Sequence, residues 1–169
     1  AEVLFEGFIG GFIKEMLSDE ASVTTQSSDQ YLAELIVDGE SIGNAFLLRE
    51  DILVEFDDSI VVLDTKYKEI DRFAKIKQNK KLKISDSDMK QMAIYAAKRG
   101  AKKLYLLYPL HRKEEPESIE VRYDIHLDGF ESATCIPLEV LKVPFAYDRS
   151  TEESKKLLSE ILCKVKGDN

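Results

Sequence analysis

Residues 48–67, LREDILVEFDDSIVVLDTKY, carry three side chains whose chemistry would matter if they met: Asp51, Asp64 and Lys66. The runs on either side of Asp57-Asp58 are rich in β-branched and aliphatic residues, and the acidic pair between them reads as a two-residue hairpin loop. With Phe56 opposite Ser59, Asp51 falls opposite Asp64 and Arg49 opposite Lys66. Side chains alternate faces along a strand, so Asp51, Asp64 and Lys66 share one face, and Ile52, Val54, Val61 and Leu63 the other. Directly opposed carboxylates have Cβ atoms roughly 5 Å apart and repel. Sharing a proton or holding a cation reconciles them. A lysine pointing the same way could bind a phosphate oxygen or steer a water. The plainer alternative is a solvated polar face, and a bulge or longer loop would break the register.

The elements that must position these residues follow from periodicity. Leu4, Phe5, Phe8, Ile9, Phe12, Ile13 and Met16 recur at helical spacing, predicting a helix over 2–17. Gly7, Gly10 and Gly11 weaken that helix and imply close approach to another element. Glu6 borders its apolar stripe, either leaning towards a neighbouring element or sitting at the rim of the core. Residues 18–30 are polar and read as a loop with an extended piece at 23–26. A strand is expected over 31–37, a turn at Asp38-Gly39, a connection over 40–44, then the hairpin strands 46–56 and 60–67. Ser85 can cap a helix over 85–100, with Asp88 three residues on and Gly100 as its stop. Met89, Met92, Ala93, Ala96 and Ala97 give that helix a flat face, and Gln91 and Tyr95 lie four apart on one side. KLYLLY, residues 103–108, reads as a buried strand, so a β–α–β crossover is expected. Residues 119–127 alternate as a strand, 133–144 are ambiguous between strand and helix, and Ser150 could cap a last helix over 151–164. The pattern is an α/β sandwich with a mixed central sheet of about five strands and helices on both faces.

At 169 residues with 44% apolar content, the chain suits a single globular domain. No apolar run is long enough to span a membrane, and no signal peptide is visible, so a cytoplasmic location is expected. Opening at Ala1 inside a helical pattern, the chain reads as a fragment of a longer protein. Cys135 and Cys163 read as reduced thiols, too few for a four-cysteine metal site. A net charge of −8 argues against a free-standing nucleic-acid binder. Yet from Lys66 to Lys83 there are eight Lys/Arg against two acids. That excess could meet phosphates, or be a flexible solvated loop.

Asp51, twelve intervening residues, and then Asp64-Thr65-Lys66 resemble the PD-(D/E)xK nuclease core. Gln91-Met-Ala-Ile-Tyr95 is similar to the Q-x-x-x-Y helix of its RecB-like branch. Taken in order, LFEGFIGGF, LREDILVEF, VVLDTKYK, DMKQMAIYA and LYLLYP resemble the endonuclease domain of McrC, over roughly residues 2–110. One departure is plain: the family usually has a proline before the first aspartate, and here Glu50 stands there. The resemblance implies a restriction-endonuclease-like fold and Mg²⁺-dependent DNA cleavage, with Mn²⁺ able to substitute. It implies that Asp51, Asp64 and Lys66 are catalytic. Asp51, Asp64, the Thr65 backbone carbonyl and Glu6 would be metal ligands. Gln91, Tyr95 and Lys68 would contact DNA. The implied partners are DNA, an AAA+ GTPase motor subunit of the McrB kind, and a second nuclease domain, met transiently to cut both strands. Two alternatives keep the fold: an inactive DNA-binding scaffold, or a stand-alone RecB-like exonuclease.

Overall fold

The hairpin is built in the expected register. In a computed structural model that describes residues 2–110, 114–129, 134–145 and 151–167, β2 (Glu40–Glu55) and β3 (Ile60–Thr65) pair antiparallel from Glu55 opposite Ile60 to Ile52 opposite Leu63. The Phe56 amide donates to the Ser59 carbonyl across the Asp57-Asp58 loop at 2.9 Å. Strands β1 (Ser22–Val37), β4 (Lys103–Leu110), β5 (Val121–Leu127) and β6 (Thr134–Pro144) complete a six-stranded mixed sheet in the order β1-β2-β3-β4-β6-β5. β3 and β4 are parallel and joined through α2 (Asp86–Arg99), the expected crossover. The sheet thus has six strands where about five were expected. The ambiguous segment before Pro144 is strand β6, its pairs with β4 parallel and with β5 antiparallel.

Helices cover both faces. α1 (Glu2–Leu17) and α3 (Thr151–Lys166) share one apolar layer with Ile52, Val54, Val61 and Leu63. α2 shares the other with Leu53, Val62, Leu104 and Leu106. This is the expected α/β sandwich, a mixed sheet with helices on both faces. The proposed cap residue Ser150 lies outside the described residues. No helix among the described residues is long and apolar enough to cross a membrane. Cys135 and Cys163 are free and exposed.

Three expectations need correction. Only residues 18–21 of the expected 18–30 loop are a connection, and 40–44 are not one: β1 and β2 each run 16 residues and meet at the Asp38-Gly39 turn, whose φ values of +49° and +83° suit a tight hairpin loop. β3 pairs only with residues 52–55 of β2, so beyond Asp51 the two strands leave the sheet as a ribbon. Past Leu48 the ribbon buries no side chain, so residues 40–47 need no alternating apolar pattern. Next, only one of the α1 glycines makes a close approach: a Cβ on Gly10 would meet the Thr25 methyl at 3.0 Å, while Gly7 and Gly11 face open space. Lastly, the buried side of α2 includes most of the expected Met/Ala face, with Met92 and Ala96 in the core and Met89 packed against it, but is shifted towards Asp88 and Tyr95. Asp88, Met92, Tyr95 and Ala96 point inward, and Ala97 is exposed.

Candidate active site

Two strand ends and one helix build the site. Where the β2–β3 ladder stops, Asp51 reaches across to the next strand: its Oδ2 accepts from the Thr65 amide at 2.8 Å and from Thr65 Oγ1 at 2.8 Å. β4 fixes the same strand end from the other side, the Lys66 amide donating to the Leu107 carbonyl at 2.9 Å. Tyr67 then packs into an aromatic cluster with Phe5 and Phe145, at ring distances of 6.0 and 6.1 Å. With the backbone held on both sides, the Lys66 side chain is directed to the α2 face.

There Lys66 Nζ lies 2.7 Å from Asp64 Oδ2 and donates to Gln91 Oε1 at 3.0 Å. Asp88 Oδ1 is 3.7 Å away, and the other oxygen of that carboxylate takes Lys68 Nζ at 3.0 Å. Asp64 is only 2% exposed. Burial, then the Asp51 charge beside it, pushes its carboxyl up to about 7, although Lys66 pulls the other way. Burial disfavours the Lys66 ammonium, but Asp64, then Asp88 and Asp51, hold its pKa above the ordinary value. Asp88 is desolvated too, yet Lys68, Ser85 and Lys66 keep it below the ordinary value.

Tyr95 is buried, and its hydroxyl donates to the Arg49 carbonyl at 2.7 Å. It braces β2 two residues before Asp51. Burial, with the Asp64, Glu50 and Asp51 charges, raises its pKa well beyond neutral, so it stays a donor. Glu50, the residue before Asp51, is fully buried and gripped by Arg99 at 2.8 and 3.2 Å. Arg99 ends α2, and it also reaches Ser27 Oγ at 2.9 Å and the Asp29 carboxylate. Helix and strand are thus tied at the two residues that precede Asp51, Arg49 by Tyr95 and Glu50 by Arg99.

The structure therefore brings together Asp51, Asp64, Thr65, Lys66 and Gln91, with Lys68 at the rim. Glu6 stands apart. It belongs to α1, on the opposite face of the sheet from α2, and its Oε1 accepts from Gln26 Nε2 at 2.9 Å. Gln26, in the left-handed region at φ +51°, lies between the pairs Thr25–Ile52 and Ser27–Glu50, level with Asp51. Tyr95, expected against DNA, has its hydroxyl committed to the Arg49 carbonyl. The residue that sequence reasoning missed is Asp88, seen only as part of a helix cap. The cap is real, with Ser85 Oγ accepting from the Asp88 amide at 3.1 Å. The signal for a second role was its position three residues before Gln91, on the same side of the helix.

Among the described residues no three His, Cys, Asp or Glu side chains cluster closely enough to hold a metal ion. A cage made of protein alone is not on offer. What is present is an adjacent carboxylate pair, with Asp64 Oδ2 shut off from solvent and lacking an aligned hydrogen-bond donor. The Lys66 contact is a charge contact. Mg²⁺ is commonly held by one or two carboxylates, with waters and substrate phosphate completing its octahedron. The pair fits that demand, and a hard cation would relieve the repulsion between the two carboxylates.

Residues 1–109 match the family described as "McrBC 5-methylcytosine restriction system component". No curated protein matches the chain. Among solved structures, the small subunit of the heterodimeric restriction endonuclease R.BspD6I aligns over 98% of this chain and 80% of that one, at 16% identity and a TM-score of 0.36. So loose an overlap adds nothing to the assignment.

Proposed function

The chain belongs to the McrBC 5-methylcytosine restriction system component family, and from that premise we propose that it is the Mg²⁺-dependent DNA endonuclease domain of such a system. In this reading it is the cleaving part, of the McrC kind, and works with an AAA+ GTPase motor that supplies target search and translocation. Two such domains meet on DNA to cut both strands. The observation that carries the reading is the convergence of Asp51, Asp64 and Lys66 at one strand end.

Asp51 and Asp64 would hold the cation, with the Thr65 carbonyl beside them. When bound, Mg²⁺ supplies polarisation of the scissile phosphate and a water of lowered pKa; Mn²⁺ would serve in its place. Asp51 spends Oδ2 on Thr65, which fixes the carboxylate and leaves Oδ1 for a ligand. Burial and the Asp51 charge raise the pKa of Asp64, and a cation held by the pair would favour its ionised form. With Asp64 shared between the cation and Lys66, Gln91 by its hydrogen bond and Asp88 by its charge would keep the Lys66 ammonium in place. A fixed point charge there offsets the negative charge that develops on phosphorus-bound oxygens. Gln91 orients the lysine, Lys68 offers a phosphate contact at the rim, and Tyr95 holds β2 so that Asp51 stays in reach.

Two measurements on purified protein test the reading. Isothermal titration with Mg²⁺ and Mn²⁺ should show binding that is lost in Asp51→Ala and Asp64→Ala. Cleavage of duplex DNA in Mg²⁺ should fall at least ~10³-fold in Asp64→Ala, the scale of losing a group that stabilises transition-state charge. Cleavage retained by Asp64→Ala, or wild-type protein that takes up no cation, would refute it.

A further inference from the structure

The lysine-rich segment after Lys66 was expected to be either a phosphate contact or a flexible solvated loop, and it is not slack. The Asp71 amide donates to the Leu82 carbonyl at 3.0 Å, closing the segment into a loop. Asn79 Nδ2 donates to Asp71 Oδ2 at 2.9 Å across it. Ile70, Phe73, Leu82 and Ile84 are buried and anchor it in the α2-side core. Two further ties come from outside. Glu117 accepts from the Phe73 and Ala74 amides at 2.8 and 2.9 Å, and the Tyr123 hydroxyl donates to the Lys80 carbonyl at 2.6 Å. Such a loop presents its side chains at fixed positions, so little ordering entropy is lost when they bind.

Several of its cations are spent on neighbours: Lys68 on Asp88, Arg72 on Glu117, Lys81 on Asp86 and Lys83 on Asp71. Lys75, Lys77 and Lys80 are exposed and enter no salt bridge among the described residues. They stand on a loop that starts at the strand end bearing Asp64 and Lys66, crosses the α2 face and reaches β5 through Tyr123. The opposite flank has the other sign. The β1–β2 ribbon leaves the sheet at Asp51, and residues 18–48 hold six acids and no Lys or Arg. The carboxylate pair therefore lies between an acidic ribbon and a fixed cationic loop.

We propose that Lys75, Lys77 and Lys80 form a sequence-independent platform for the nucleic-acid sugar–phosphate backbone, so that the duplex leaves the site over the 70–84 loop and away from the β1–β2 ribbon. The inference rests on the DNA-cleaving reading above but assigns a surface that reading does not need. Three lysines at fixed spacing suit phosphates, which they contact as point charges. The ribbon's carboxylates would repel the same backbone.

The test is binding of a fluorescein-labelled 20-bp DNA duplex in EDTA, followed by anisotropy as a function of NaCl. Each phosphate contact adds about 0.9 to the slope of log K against log salt. Lys75→Gln/Lys77→Gln/Lys80→Gln should lower that slope by about 2.7 and weaken binding at least ~10-fold at low salt. The charge-reversed Glu triple should weaken it further. Glu34→Gln/Asp38→Asn/Glu40→Gln on the ribbon should leave the slope unchanged. All six positions are exposed, and circular dichroism checks that each variant is folded. A Gln triple with the wild-type slope overturns the proposal, as does wild-type protein that does not bind the duplex at low salt. Neither result touches the Asp64→Ala cleavage test, so the two readings fail separately.

Discussion

Asp64 shows how one side chain ties stability to chemistry. In the unfolded chain it titrates as an ordinary carboxyl, near 4. In the fold, burial and Asp51 raise it to about 7. The native state therefore keeps a proton that the unfolded chain releases, and stability falls as pH rises from about 4 to about 7. Asn fills the same shape without the charge. Asp64→Asn should match the wild type in thermal midpoint near pH 4. At pH 8 without divalent cation it should melt higher by several degrees, since each kcal/mol is worth about 2–4 °C in a chain of this size. Adding Mg²⁺ at pH 8 should raise the wild-type midpoint and not the variant's. Equal melting of the two proteins at pH 8 would mean that the carboxylate pair is not under tension. Asp88 is the counterpart that sequence reading passed over. Its spacing from Ser85 was already explained by a cap, and only the turn of α2 that buries Tyr95 and Met92 shows its carboxylate aimed at Lys66 and Lys68.

At the scale of elements, what was legible was whatever leaves an apolar period. The β2–β3 hairpin announced itself because Ile52, Val54, Val61 and Leu63 alternate on both sides of Asp57-Asp58, and they do bury together under α1 and α3. Of β1 only the second half did, as the expected strand over 31–37, because Ser, Thr, Gln and Asp fill the first half. The carboxylate pair followed from register alone. The Arg99–Glu50 clamp could not, because two charges 49 residues apart carry no pairing signal until α2 is laid on the sheet. Glycine in α1 gives a sharper division. Gly7 and Gly11 face open space, so alanine there should recover helix propensity, about 1 kcal/mol each. Gly10→Ala should gain nothing or lose, because its methyl would press on the Thr25 methyl at 3.0 Å, in a layer shared with Ile52. Urea denaturation of the three single variants distinguishes these outcomes, and a stabilised Gly10→Ala would mean that α1 and β1 are free to part.

For the whole molecule, the sum and the distribution of charge pull against each other. The chain is −8 overall, so its long-range field repels DNA, while the cationic loop beside the carboxylate pair attracts it locally. Binding that depends on a few lysines under an opposing field is weak and steeply salt-dependent. About three phosphate contacts make affinity fall ~10²-fold between 20 and 150 mM salt. That balance suits a cleaving domain delivered by a partner and poorly suits one that must find and hold DNA unaided. The prediction is that the isolated chain in Mg²⁺ cuts a covalently closed circular duplex, slowly at 20 mM salt and about a hundredfold more slowly again at 150 mM under subsaturating protein. A circle has no end, so an exonuclease leaves it intact while degrading the same DNA once linearised. Nicked and linear products from the circle, with Asp64→Ala inert, support an endonuclease whose affinity is completed by another subunit. Digestion confined to the linear form would instead assign the site to end-dependent degradation, and salt-insensitive cutting would show that the loop lysines do not govern the encounter.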